Sequence, residues 1–195
     1  AALLRRSDPL RRAGAGHRSR ARALPLPGAD LDGVLFLRTA ADAEALKSRL
    51  GPGKRLAVIG GGYVGLEAAA SAMALGGSAV VIERESRVLA RVACEPLSRF
   101  YQEAHARRGV EIVTSASVTG LEGDGAVSAV ALAGGSRIAC DVVVIGVGAQ
   151  PNVELAQAAG LDCPDGVAVD QTARTSDPAR ARRGHCRPTP RRPPN

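Results

Sequence analysis

The chain has 195 residues, 45% of them hydrophobic and 2% aromatic, with a formal net charge of +7. That length suits one domain with pieces of another, around a core of Ala, Val, Leu and Ile. The charge is lopsided: residues 1–27 hold seven Arg and one Asp, residues 179–195 hold six Arg and no acid, and 28–178 is left with −5. Arginine-rich ends without interleaved aromatics or a reading module argue against nucleic-acid binding. No run approaches the roughly 18 apolar residues of a membrane span, and no signal-peptide core stands near the start. The cysteines, Cys94, Cys140, Cys163 and Cys186, form no C-x-x-C pair. They read as isolated thiols of a reducing cytoplasm, neither zinc ribbon nor redox pair.

In chain order, residues 1–23 show no sustained period, and 11–20 is expected to be disordered. Leu24-Pro25-Leu26-Pro27-Gly28 reads as a stiff, extended connector, since each Pro biases its predecessor away from the helix. A short strand is expected over 34–37 and a helix over 40–50, with Thr39 as N-cap and Gly51-Pro52-Gly53 as its stop. A buried strand over 56–59 leads into Gly60-Gly61-Gly62-Tyr63-Val64-Gly65, and a helix follows to Leu75. A second strand over 78–82 ends at Glu83. Glu95-Pro96 opens a helix over 97–108, with Pro where its missing N–H costs little, and 110–113 is the third parallel strand. Short strands over 116–121, 126–131 and 137–139, separated by glycine turns, read as an antiparallel meander. A parallel strand over 141–145 then ends in Gly146-Val147-Gly148-Ala149-Gln150-Pro151-Asn152. A helix over 153–159 and a strand over 167–169 complete the ordered part.

The fold class is therefore α/β, a Rossmann-like parallel sheet with an inserted antiparallel β-meander. The expected division is a basic, disordered arm and connector at 1–27, a nucleotide-binding domain at 28–152, a return segment at 153–178 and a basic, disordered tail at 179–195.

Strand, glycine turn and helix in succession give G-x-G-x-x-G its meaning. Gly60 permits the tight turn, Gly62 lets the backbone approach a pyrophosphate, and Gly65 lets the helix lie close on its strand. The helix N-terminus then faces the phosphates. Glu83 lies 23 positions after Gly60, near the spacing of about 20 at which an acid takes the adenosine ribose hydroxyls. Ligands of open α/β sheets lie beyond the carboxyl ends of the strands, so the turn Gly146-Val147-Gly148 faces the same crevice.

Gly-Gly-Gly-Tyr-Val-Gly-Leu-Glu (60–67), Arg-Val-Leu-Ala-Arg (87–91), Gly-Val-Gly-Ala-Gln-Pro-Asn (146–152) and Arg-Thr-Ser-Asp-Pro (174–178) stand in this order. Together they resemble the FAD-dependent pyridine nucleotide oxidoreductases, in particular the ferredoxin, rubredoxin and putidaredoxin reductases. The resemblance runs from about Leu24 to Pro178. It implies an NAD-binding domain inserted into an FAD-binding one, hydride transfer from NADH to flavin, and electrons leaving singly to a small iron–sulfur protein. It gives Gly60, Gly61, Gly62 and Gly65 to the NAD pyrophosphate, with backbone contacts from Tyr63 and Val64. Glu67 would point to the nicotinamide side, or be an ordinary first-turn acid favoured by the helix dipole. Glu83 would repel a 2′-phosphate and favour NAD over NADP. Arg84 and Arg91 could instead pair with that phosphate, or be solvated surface charges. Gly146, Val147 and Gly148 would let the nicotinamide half lie close to backbone. Arg38 matches an arginine that contacts FAD in the family, or is a solvated strand-end arginine.

The chain also departs from the pattern. An intact member begins with its own strand and glycine turn for FAD, and nothing of that kind precedes residue 54. Where the family has Gly-Asp for the flavin, this chain has Gly184-His185, and His185 with Cys186 makes a poor metal site. No residue is assigned as general acid, base or nucleophile, because cofactors carry hydride chemistry. The expectation is thus a fragment centred on the NAD-binding domain, without an FAD site of its own, whose basic ends are truncated or out of frame. Comparison of the three reading frames tests this, and it fails if no alternative frame restores the missing motifs. The alternative is a nucleotide-binding module without redox activity.

Overall fold

Residues 56–59, 79–82 and 142–145 are apolar without interruption, the pattern of parallel strands covered on both faces. The computed structural model describes residues 13–16, 18–177, 180–183 and 187–188. Its elements are β1 (Ala13–Gly16), β2 (Ser19–Ala21), β3 (Val34–Leu35), α1 (Ala40–Arg49), β4 (Arg55–Ile59), α2 (Tyr63–Ala74) and β5 (Ser78–Ile82). They continue with α3 (Glu95–Ala106), β6 (Glu111–Val113), β7 (Val118–Asp124), β8 (Ala126–Leu132), β9 (Arg137–Ala139) and β10 (Val142–Ile145). The last are β11 (Ala149–Pro151), α4 (Glu154–Ala158), β12 (Ala168–Val169), β13 (Arg180–Arg183) and β14 (Arg187–Pro188). By contacts the chain falls into two units, Ala21–Gly148, and Ala1–Arg20 with Ala149–Asn195.

In the first unit five strands form a sheet of order β3-β10-β4-β5-β6, every neighbouring pair parallel. The period of two sorts its side chains into two cores. Leu56, Val58, Ala79, Val81, Val142 and Val144 meet Leu66, Ala68, Ala69 and Ala72 of α2. Ala57, Ile59, Val80, Ile82, Val143 and Ile145 meet Leu121, Val127, Val130 and Leu132 of the meander. Alanines on α2 let its backbone lie close to the sheet, which compensates for the scarcity of aromatics. The β7-β8-β9 meander is antiparallel and forms a separate sheet, as expected.

Thr39 caps α1 through a reciprocal capping box. Its Oγ1 accepts the Asp42 N–H at 3.2 Å, and Asp42 Oδ2 accepts the Thr39 N–H at 2.7 Å. The first strand is shorter than expected and ends at Leu35, although Phe36 and Leu37 still pack on the two cores. The segment read as a stiff, extended connector is part of this unit. Leu24 and Leu26 pack on the meander-side core, and Pro27 O accepts the Leu121 N–H at 2.8 Å. Proline fixed the extended path, but the path itself lies along the meander.

The second unit has its own small core of Ala156, Leu161, Val167 and Val169. Strand β2 lies beside β11, and the Arg20 guanidinium reaches Asn152 Oδ1 at 2.9 Å and Glu154 Oε1 at 2.6 Å. β1 pairs in parallel with β13, and β12 with β14. Strands β1, β2, β13 and β14 lie in the basic arm and tail at 1–27 and 179–195. Their order comes from backbone pairing with distant strands, which leaves no side-chain period to read. Residues 1–12 and 17, and Gly184, His185 and Cys186, lie outside the described residues. Among the described residues no helix is long and apolar enough to cross a membrane, and no cluster of three or more His, Cys, Asp or Glu could hold a metal.

Candidate functional site

Strands β4 and β10 are hydrogen-bonded neighbours, and each runs straight into a glycine. The carboxyl ends of the two strands therefore bring residues 60–65 and 146–148 together. Gly146 N–H donates to Ile59 O and Gly60 N–H donates to Ile82 O, both at 2.8 Å. Gly60 adopts φ +109, and a Cβ there would stand 2.6 Å from Gly146 O. A Cβ on Gly65 would overlap Gly60 O and press on Val58. Both glycines are thus required by the protein's own packing. Gly62 differs. Its φ of −80 suits any residue, and a Cβ on it would meet no atom of the described residues within 4 Å. The space before it is open, as it is before Gly148, whose φ is +112.

Gly62 is the N-cap of α2 and gives that helix no side-chain cap, nor does the first turn contain an acid. The positive end of a 12-residue helix therefore faces this open space, the arrangement that receives a phosphate. Tyr63 and Val64 are half exposed beside it, and the Tyr63 ring meets Tyr101 edge-on at a centroid distance of 6.0 Å. Glu67 is exposed and is the fifth residue of α2, beyond the first turn. The reading of it as a first-turn acid is corrected on that count.

Glu83 closes the site from the end of β5. Its Oε2 accepts the Gly61 N–H at 2.6 Å and its Oε1 accepts the Glu85 N–H at 2.8 Å. A carboxylate accepts more than one bond per oxygen, so capacity for sugar hydroxyls remains. Arg84 is exposed and lies 3.3 Å from Glu85. Arg91 is exposed on the loop after it. Arg38 follows β3 at the same carboxyl end of the sheet, and its N–H donates to Asp42 Oδ2 at 2.9 Å as part of the α1 cap. The structure thus unites Gly60, Gly61, Gly62, Gly65, Glu83 and Gly146, whereas Arg38 belongs with the α1 cap.

Two contributors escaped the sequence reading. Leu89, 2% exposed, adopts φ +56 and donates its N–H to Gly61 O at 2.9 Å. Ser98 of α3 is fully buried and its hydroxyl donates to Val88 O. The motif Arg-Val-Leu-Ala-Arg flagged the loop as a resemblance, but nothing in its composition announces a left-handed leucine. Cys94 is exposed, and burial pushes the Cys140 thiol up to about 11, so it stays protonated near neutrality.

Residues 14–179 match the pyridine nucleotide-disulphide oxidoreductase family. The chain is 51% identical over 175 residues to the probable ferredoxin reductase CtmF of Castellaniella defragrans, covering 88% of this chain and 43% of that protein. Among solved structures it resembles the ferredoxin reductase for the CYP199A2 system from Rhodopseudomonas palustris, with TM-score 0.80, 40% identity and coverage of 88% and 42%. It also resembles the covalent putidaredoxin reductase–putidaredoxin complex, with TM-score 0.80, 37% identity and coverage of 89% and 42%. The chain therefore spans less than half the length of these relatives.

Proposed function

Because this chain belongs to the pyridine nucleotide-disulphide oxidoreductase family, we propose that it is the NADH-binding portion of an FAD-dependent reductase of the ferredoxin-reductase type. The observation that carries this reading is Gly62. None of the described residues needs glycine there, yet the uncapped helix end borders the open space in front of it and the Glu83 carboxylate holds the neighbouring Gly61 amide. A bound pyrophosphate explains why that space is kept clear. Gly60, Gly61, Gly62 and Gly65 with the Tyr63 and Val64 amides would hold the diphosphate, Glu83 the adenosine ribose, and Gly146, Val147 and Gly148 the nicotinamide half. Glu67 would border that half as well. A carboxylate at the ribose edge favours NAD over NADP, and the pairing of Arg84 with Glu85 draws one candidate phosphate ligand away. Arg91 would line the same edge.

In the whole protein NADH, when bound, would supply a hydride to flavin, and flavin would serve single-electron delivery to a small iron–sulfur protein of ferredoxin or rubredoxin type. Relatives named ferredoxin reductase, and the complex of one relative with putidaredoxin, support this placement. Among the described residues the glycine turn at 60–65 is given to NADH, so FAD in the intact protein would be held mainly by residues elsewhere, with Arg38 as a candidate contact. The setting proposed is cytoplasmic.

Titration of the 195-residue chain with NADH, NADPH and FAD separately tests the proposal, read by cofactor fluorescence and thermal shift. The expected result is NADH binding, weaker NADPH binding and no tight FAD binding. Tight FAD binding would show that the chain holds flavin itself, and no binding of either nicotinamide dinucleotide would sink the reading. A module that binds nucleotide without turnover remains the second reading, favoured by the single glycine turn of this kind among the described residues. NADH-dependent reduction of ferricyanide by the chain with added FAD would rule it out.

A further inference from the structure

A serine is the one fully buried polar side chain among the described residues. Burying a hydroxyl is unfavourable unless it is bonded, and an alanine would fill most of the same space. Ser98 therefore serves its partner. Its Oγ donates to Val88 O, while Val88 N–H donates to Gln102 Oε1 at 3.3 Å. Residues four apart share one face of a helix, so α3 grips both backbone groups of Val88, which is itself fully buried.

The residue held next is Leu89. A φ of +56 is disfavoured for a leucine and persists where the surroundings impose it. Arg87 secures the loop from its other side through Ala93 O at 3.0 Å and Ala90 O at 3.1 Å. The outcome is that the Leu89 N–H points at Gly61 O, at 2.9 Å. Gly61 is then fixed at both ends of its backbone, its carbonyl by Leu89 and its amide by Glu83. Val88 also closes the space beside it, 3.0 Å from where a Cβ on Gly61 would lie.

We infer that Ser98 and Gln102 are positioning residues for the dinucleotide site, acting through Val88 and Leu89 on Gly61. Neither side chain is assigned a contact with the cofactor. Together they set the peptide at the middle of the glycine turn, so that its neighbours present their amides to the diphosphate before it arrives. The inference rests on the reading that this turn binds a nicotinamide dinucleotide.

The test uses the full 195-residue chain and the variants Ser98→Ala, Gln102→Met and Gln102→Glu, at a temperature where each is folded. Val130→Ala, a core truncation in the meander, controls for general destabilisation. NADH affinity is read by fluorescence, and exchange of the Leu89 amide by NMR against amides of the central strand β4. Ser98→Ala and Gln102→Met are expected to raise the Kd for NADH about tenfold and to speed exchange at Leu89 while β4 is unchanged. Gln102→Glu, which keeps the acceptor, should restore most of the affinity, and Val130→Ala should leave it as in the wild type. If Ser98→Ala does not fold, Gln102→Met decides alone. Wild-type affinity in the folded variants, or an equal loss in Val130→Ala, would overturn the inference and leave the proposed function standing. A wild-type chain that binds neither NADH nor NADPH would overturn both.

Discussion

Single atoms separate the glycines of the turn. On Gly65 a Cβ would overlap the Gly60 carbonyl, whereas on Gly62 it would enter open space. Gly65→Ala should therefore destabilise the fold by about 1–3 kcal/mol, as overpacking does, and lower the Tm by several degrees. Gly62→Ala should leave the Tm within about a degree or two but weaken NADH binding by roughly tenfold or more, because the methyl occupies the path of the diphosphate. Thermal melts beside fluorescence titrations separate the two, and a Gly62→Ala chain that binds NADH normally would contradict the assignment. Glu83 braces Gly61, and in the proposed site it would also meet the ribose. Glu83→Ala should weaken NADH binding about tenfold, the scale of one charged hydrogen bond, and weaken NADPH binding less. Equal losses for both would leave it only the bracing task. The signal for both glycines and Glu83 was legible because their spacing is a local property. The division of labour between Gly62 and Gly65 was not, since it depends on which carbonyl lies behind each α-carbon.

Among the elements, α1 shows how much a local cap can carry. Asp42 sits below its ordinary value of 3.8 chiefly because it accepts the Thr39 N–H, helped by the Thr39 hydroxyl and the Arg38 N–H. Its folded pKa is depressed, so its contribution is present above the unfolded value and is lost as pH falls through the folded one. Asp42→Asn should consequently lower stability near neutrality and flatten the decline below about pH 4, which denaturant unfolding at several pH values would show. Thr39→Ala removes the N-cap at a typical cost of about 1 kcal/mol. Both ends of this helix were readable from Thr39 and Gly51. The short pairings β1–β13, β2–β11 and β12–β14 were not, because two to four residues of basic or small side chains carry no periodic signal.

At the scale of the whole molecule, Asp32, Asp141 and Asp170 are held low as well, by Arg49, by the Arg55 N–H and by the Arg174 N–H respectively. All three act with the same sign as Asp42. The chain should be most stable near neutrality and lose stability on acidification through the carboxylate range, measured as Tm against pH. Thiol reactivity reports global integrity. Cys94 is exposed and Cys140 is buried with its pKa raised to about 11, so iodoacetamide should modify Cys94 before Cys140 in the native chain. Guanidinium should bring the rates of the two together, and rapid native labelling of Cys140 would argue against this packing.

The sequence alone determined the order of elements from β3 to β10, the glycine turn, the place of Glu83 after the second strand of the turn unit, and the family. The elements, the turn and Glu83 rest on composition and spacing within some 30 residues, where backbone geometry leaves few alternatives, and the family on the resemblance of four motifs between 60 and 178. Only the tertiary structure decided that Gly60 backs onto Gly146 and that the connector at 24–28 packs against the meander. It alone showed that Glu83 and a left-handed Leu89 clamp Gly61 from two sides. Those contacts join residues 22 to 94 positions apart, and such partners are chosen by the parallel sheet that brings strand ends together rather than by any local preference.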